Sequence, residues 1–136
     1  MFLFRAKPIT NISKTTESTS VPLPSAEDIV RNFCVLVDER RVSEALSLMD
    51  IPDETTKQAW GVYLNTFSSF KLININKSKL EGSDNTFEVD LRVSLNPGAE
   101  KNPIPNYGWV NGINKRWITV ERLNGLYKVT EIATGP

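Results

Sequence analysis

The chain contains no histidine. That removes the commonest general base near neutral pH and the commonest zinc ligand, and with them the Ser/His/Asp and Cys/His arrangements. Acid–base work by a carboxylate, tyrosine or lysine stays open. A single cysteine, Cys34, excludes an intrachain disulfide and leaves the compartment undecided. No apolar run approaches the roughly 20 residues of a membrane-crossing helix. Charge of one sign is not in excess either: sixteen basic and sixteen acidic residues cancel. The basic field that marks a nucleic-acid binder is missing, so no nucleic-acid partner is expected. Gly82, Gly98, Gly108, Gly112 and Gly125 are spaced as turn residues rather than as a phosphate loop. Asp50, Asp53 and Glu54 lack the alternating spacing of a calcium loop. No metal and no cofactor is therefore expected.

What is present is 136 residues of ordinary globular composition, 40% hydrophobic and 24% charged, enough for one domain with a core. Residues 10–20 hold seven Ser or Thr, with Pro8, Pro22 and Pro24 around them. Residues 1–24 thus read as a flexible lead-in, and residues 25–136 as a single domain. Met1-Phe2-Leu3-Phe4-Arg5 is either the tail of a leader or an ordinary start. If Met1 is not the native start, an extracytoplasmic or cell-envelope location is expected.

Helical periods dominate the first half. Ser25 is placed to cap a helix whose first turn carries Glu27 and Asp28, and Ile29, Val30, Phe33, Leu36 and Val37 form its apolar stripe. Asp38-Glu39-Arg40-Arg41 reads as a charged corner between helices, before a short second helix with Val42, Ala45, Leu46 and Met49 on one face. After Pro52 a third helix is expected over residues 54–67, with Trp60, Tyr63, Leu64 and Phe67 sharing a face.

The period then changes. Phe70 to Ile75 is β-rich, but Ile73 and Ile75 do not fit the alternation of Phe70 and Leu72. Phe87, Val89, Leu91, Val93 and Leu95 alternate cleanly with polar residues, which indicates an antiparallel sheet with one face in the core. Prolines and glycines make residues 96–108 an irregular connection. Trp109-Val110 reads as the start of a further strand broken at Asn111-Gly112, before Trp117 opens a hairpin around Asn124-Gly125. A two-residue loop there pairs Val120 with Val129, Arg122 with Tyr127, Glu121 with Lys128, Thr119 with Thr130 and Trp117 with Ile132.

Three helices followed by strands make an α+β arrangement. The element order, and the hairpin residues Trp117, Thr119, Gly125 and Tyr127, resemble the nuclear-transport-factor-like cone fold superfamily, also described as cystatin-like, which includes ketosteroid isomerase. The resemblance spans about residues 25–134 and implies N-terminal helices packed on a strongly curved antiparallel sheet, with a cone-shaped pocket. It also implies association through exposed sheet faces. The histidine-dependent enzymes of that superfamily have no counterpart here. Tyr63 with Asp90 or Asp38 are the nearest residues to the isomerase type, and no catalytic residue is carried across.

Several residue sets are candidates for function. Trp60, Tyr63, Asp90 and Trp117 are candidates to line a ligand pocket, against the alternative of an ordinary core and a solvated strand face. Tyr107 and Trp109, with Arg92, are candidates for a protein contact; the alternative is that the two aromatics tie their loop to the domain. Cys34, past the first turn and with no histidine to pair with, reads as a small buried hydrophobe. The expectation is a non-catalytic binding or assembly module, of the kind found in a secreted, cell-envelope or conjugation-type apparatus, meeting a protein partner or a second copy through its sheet. The alternative is a protein that binds a small apolar ligand, or an acid–base enzyme independent of histidine.

Overall fold

The computed structural model describes residues 23–78, 85–98 and 108–135. The lead-in up to residue 22, the turn residue Gly82, and residues 99–107 of the irregular connection, Tyr107 among them, lie outside the described residues. Helix α1, Ala26–Asp38, begins as its sequence dictates. Ser25 Oγ accepts the Asp28 N–H at 3.1 Å, and Asp28 Oδ2 accepts the Ser25 N–H at 3.0 Å. This reciprocal pair satisfies two donors that a helix start leaves open. Ile29, Val30, Phe33, Cys34 and Val37 are buried, with Leu36 packed beside them.

The charged corner follows. Arg40 turns the chain in the left-handed region at φ 62°, while its Nη1 donates to the Phe67 carbonyl at 3.0 Å. Asp38 bridges from α1 to the first strand, its Oδ1 accepting the Phe70 N–H at 2.8 Å and its Oδ2 the Lys71 ammonium at 2.7 Å. Helix α2, Val42–Ser47, buries Ala45 and Leu46. Helix α3, Glu54–Leu64, is capped by Asp53, whose Oδ1 accepts the Thr56 N–H at 2.7 Å. It ends three residues before the expected residue 67. Asn65 Nδ2 donates to Gly61 O and Thr66 Oγ1 to Tyr63 O, so two side chains satisfy the last carbonyls and free the backbone to extend. Phe67 opens a strand instead of closing the helix.

Four strands follow: β1 Phe67–Lys77, β2 Thr86–Leu95, β3 Gly112–Leu123 and β4 Leu126–Ala133. They pair antiparallel in the order β1-β2-β3-β4. Helix α1 packs across one face, against β1, β3 and β4. The other face carries no packed element among the described residues.

The α+β class and the helices-first order stand, but the cone does not. The sheet is open and lacks the strong curvature expected of a nuclear-transport-factor-like or cystatin-like fold. Its first and last strands do not meet. At β4 the neighbour is the chain between α2 and α3: Asp50 donates to Val129 O at 2.9 Å, and Val129 donates to Leu48 O at 2.7 Å. Alternating apolar residues and an Asn-Gly turn specify an antiparallel meander; they carry no information about how far it coils.

Three bulges correct the sequence-based register. Ser68 and Ile73 are each an extra residue in β1, between the pairs Phe67–Leu95 and Ser69–Ser94, and Leu72–Leu91 and Asn74–Asp90. Each insertion changes the core-facing step from two to three. Phe67, Phe70, Leu72 and Ile75 therefore all meet the core, whereas Ile73 is 51% exposed. The hairpin holds as expected from Leu123–Leu126 to Val120–Val129, with Asn124 and Gly125 at φ 52° and 83°. Thr130 is then an extra residue, so Thr119 pairs with Glu131, Ile118 with Ile132 and Trp117 with Ala133. This slip turns Ile132 to the same face as Val129.

Strand β3 also begins earlier than expected, at Gly112 rather than Trp117, and Trp109-Val110 precede it without joining a strand. Asn114 clamps the approach: its Oδ1 accepts Val110 N–H at 3.1 Å, and its Nδ2 donates to Val110 O at 2.8 Å and Gly112 O at 3.1 Å.

Candidate functional site

A cleft of about 560 Å³ opens where α3 stands beside the ends of β3 and β4. Helix α3 lends Thr56, Ala59, Trp60 and Tyr63; β3 lends Arg116; Ile132, Ala133 and Thr134 close the far side. The helix supplies four residues because positions three and four apart share a helical face. The bulge at Thr130 matters here too, since without it Ile132 would point to the opposite side of the sheet.

Behind the cleft stands an aromatic wall. Trp60 and Tyr63 stack with ring centroids 5.0 Å apart. Phe67 meets Trp109 edge-on at 5.0 Å and Phe70 at 4.9 Å. The Trp109 indole N–H donates to the Tyr63 hydroxyl. The Arg116 guanidinium lies 4.0 Å over the Trp109 ring, a cation–π geometry, and its Nη1 donates to Lys115 O at 2.8 Å. Arg116 is only 6% exposed. Burial pushes its pKa below the ordinary value, against an opposing influence of Tyr63; an arginine nonetheless stays charged.

The cleft residues combine one cation, one phenol and two threonine hydroxyls with apolar walls, and include no carboxylate. They can hold a flat apolar body and offer hydrogen bonds. Among the described residues no cluster of three or more metal-ligating side chains occurs, and no helix is long and apolar enough to cross a membrane.

The structure separates the residues singled out from the sequence. Trp60 and Tyr63 line the cleft together. Asp90 and Trp117 sit on the face away from the helices. Lys115 Nζ bonds Glu88 Oε2 at 2.7 Å and Asp90 Oδ1 at 3.1 Å, and Trp117 pairs with Glu88 and Ala133. Arg92 is exposed on that same outer face. Trp109, by contrast, is 3% exposed and belongs to the core wall, while Tyr107 lies outside the described residues.

Asp38 is the other acid considered as a base. Burial tends to raise its pKa, but the hydrogen bonds from Lys71 and the Phe70 N–H outweigh that and hold it below the usual carboxylate value. Cys34 is 1% exposed, and burial pushes its thiol up to about 12 against the opposing influence of Arg31.

Of the cleft residues, the sequence reading missed Thr56, Ala59, Arg116, Ile132, Ala133 and Thr134, and Arg116 is the one that carries charge. A signal existed: stepping back by two from Val120 and Ile118 reaches Arg116 and Asn114 on the core face. Their polarity disguised the strand as a loop.

Comparison with protein-family models, with curated proteins and with solved structures finds no match to this chain.

Proposed function

We propose that this protein is a non-catalytic binding domain whose recognition site is the cleft between α3 and the ends of β3 and β4. The observation that carries this reading is the cleft's make-up. About 560 Å³ is walled by Ala59, Trp60, Ile132 and Ala133, with Tyr63 and Arg116 converging on it. Ligand sites have volumes of about 300–1,000 Å³ and combine apolar walls with a few placed polar groups. A small, largely apolar molecule fits that description.

The test is a screen of small aromatic and aliphatic compounds by backbone-amide NMR. Binding is expected to move the resonances of Thr56, Ala59, Trp60 and Ile132–Thr134. Ala59→Trp, a substitution at an exposed helix position, is expected to fill the cleft and remove the response. Binding that persists in this variant, or shifts confined to other regions, overturns the reading.

A second reading, assembly, is favoured by the outer face of the sheet. Ile73 is 51% exposed and Ile113 49%, on either side of Asp90 and Arg92, with Trp117 further along β3. A protein partner or a second copy of the chain would cover those apolar side chains. Light scattering across a concentration series tests the homodimer: mass doubling is expected, and Ile113→Asp is expected to reverse it. A constant monomer mass at high concentration removes the homodimer.

A further inference from the structure

Resting on the cleft reading, we infer that the ligand is a peptide: a short extended segment that adds a strand to the edge of β4 inside the cleft. Strand β4 is the last of the sheet, and among the described residues its outer edge is paired only part of the way. Asp50 donates to Val129 O and Val129 donates to Leu48 O, so residues 48–50 lie beside β4 as a short parallel neighbour. The chain then leaves that edge at Pro52, which has no N–H to give, and enters α3. The cleft opens where this pairing stops, so a bound segment would continue a contact that the molecule already makes.

The next edge-facing groups belong to Ile132. Val120 donates to Asn85 O, on the side away from β4, so Val120 and Val129 exchange no bonds and Val129 turns its N–H and C=O outward. Ile118 stands two residues before Val120, so Ile118 and Ile132 repeat that arrangement. Ile132 therefore turns its own N–H and C=O to the edge, and among the described residues no backbone group pairs with them there. The cleft reaches this edge, because Ile132, Ala133 and Thr134 all line it. Alternate side chains of a strand point to opposite faces, so consecutive residues share one wall only along their backbone. A peptide at this edge gains main-chain hydrogen bonds from Ile132. Its alternate side chains enter the apolar space between Ile132 and the stacked Trp60–Tyr63 pair. The bulge at Thr130 gives Ile132 both its outward backbone and its core-facing side chain.

The experiment titrates the full chain with two capped peptides, acetyl-Thr-Phe-Thr-Val-amide and acetyl-Phe-Thr-Val-Thr-amide, and with naphthylmethanol as a small aromatic probe, following backbone amides by NMR. Both peptides alternate apolar residues with threonine, which suits an extended strand. Peptide is expected to move the amides of Trp60 and Ile132–Thr134, and to slow solvent exchange of the Ile132 amide about tenfold. Versions of the tighter peptide, each N-methylated at one residue, then report which of its N–H groups are used. Successive N–H groups of a strand point to opposite sides, so the effect should alternate along the peptide. Methylation at every second residue is expected to weaken binding about tenfold, and methylation between them to change it by less than about twofold.

Equal effects of N-methylation at all positions, or peptide binding without slower exchange at Ile132, overturn strand addition. Binding of naphthylmethanol in the cleft with no response to either peptide at millimolar concentration overturns the peptide inference while the cleft reading survives. Absence of any cleft response to all three probes overturns both the inference and the cleft reading beneath it.

Discussion

The indole N–H of Trp109 donates to the hydroxyl of Tyr63, joining residues 46 positions apart into one buried unit. Through it the loop leading into β3 is fastened to α3, and the back of the cleft is made rigid. Tyr63 also stacks on Trp60 and lies 6.2 Å from Phe67, so one phenol links helix, loop and sheet.

Replacing Tyr63 by Phe keeps the ring and removes the acceptor. The Trp109 N–H is then buried without that oxygen, a loss of about 1–3 kcal/mol. Urea denaturation should show this as a lower midpoint with an unchanged slope. A change within about 0.5 kcal/mol would mean that the bond contributes nothing net.

Asp38 couples stability to pH. Its folded pKa is depressed by the Lys71 and Phe70 hydrogen bonds, so its contribution is fully present above the ordinary value of 3.8. That contribution is lost as pH falls through the lower, folded value. Asp38→Asn is expected to destabilise the protein by about 1–2 kcal/mol at neutral pH. The gap between variant and parent should close on acidification below pH 3.8, followed by chemical denaturation at each pH. A gap that widens in acid contradicts the assignment.

Cys34 should be inert in the native state. A thiol 1% exposed and raised to about 12 has almost no thiolate at neutral pH. Labelling with an aromatic disulfide reagent is expected to proceed at the rate of unfolding and to become fast in denaturant. Immediate labelling of the folded chain would contradict this burial.

The bulges in β1 predict two unequal substitutions a few residues apart. Phe70→Ala removes a buried ring and should cost about 3–5 kcal/mol. Ile73→Ala alters an exposed bulge residue and should cost less than about 1 kcal/mol. Equal costs in thermal or urea unfolding would place Ile73 in the core and refute the register.

At the hairpin, Gly125 has φ 83° beside Asn124 at φ 52°. Gly125→Ala meets no atom within 4 Å, so its cost is conformational, about 1–2 kcal/mol. Unfolding measurements should show that loss, and a neutral result would mean that the turn has another geometry.

Parts of the molecule were legible in the sequence for local reasons. The Ser25 cap and the stripe from Ile29 to Val37 describe α1, because the 3.6-residue period and the capping chemistry act within a few residues. The alternation from Phe87 to Val93 describes β2, and Asn124-Gly125 sets the first four pairs of the hairpin. Trp60 and Tyr63 were legible as a pair because a spacing of three places them on one helical face.

What remained hidden is non-local. The alternation of β2 already set Asp90 opposite the core residues, but no spacing shows that Trp117 stands on that outer face, since β3 was not read as a strand before Trp117. Bulges at Ser68, Ile73 and Thr130 break the period they would be detected by, and each follows from packing side chains onto one core. Arg116 reads as a solvated charge until Trp109 lies beneath it. The sequence by itself determined the helical and strand periods, the turn and the α+β class. Only the tertiary structure decided that the sheet stays open, that one face of α3 borders a cleft, and that a buried cation lines it. Periodicity records which side of an element seeks apolar contact; curvature and the spacing between layers arise when distant elements pack together.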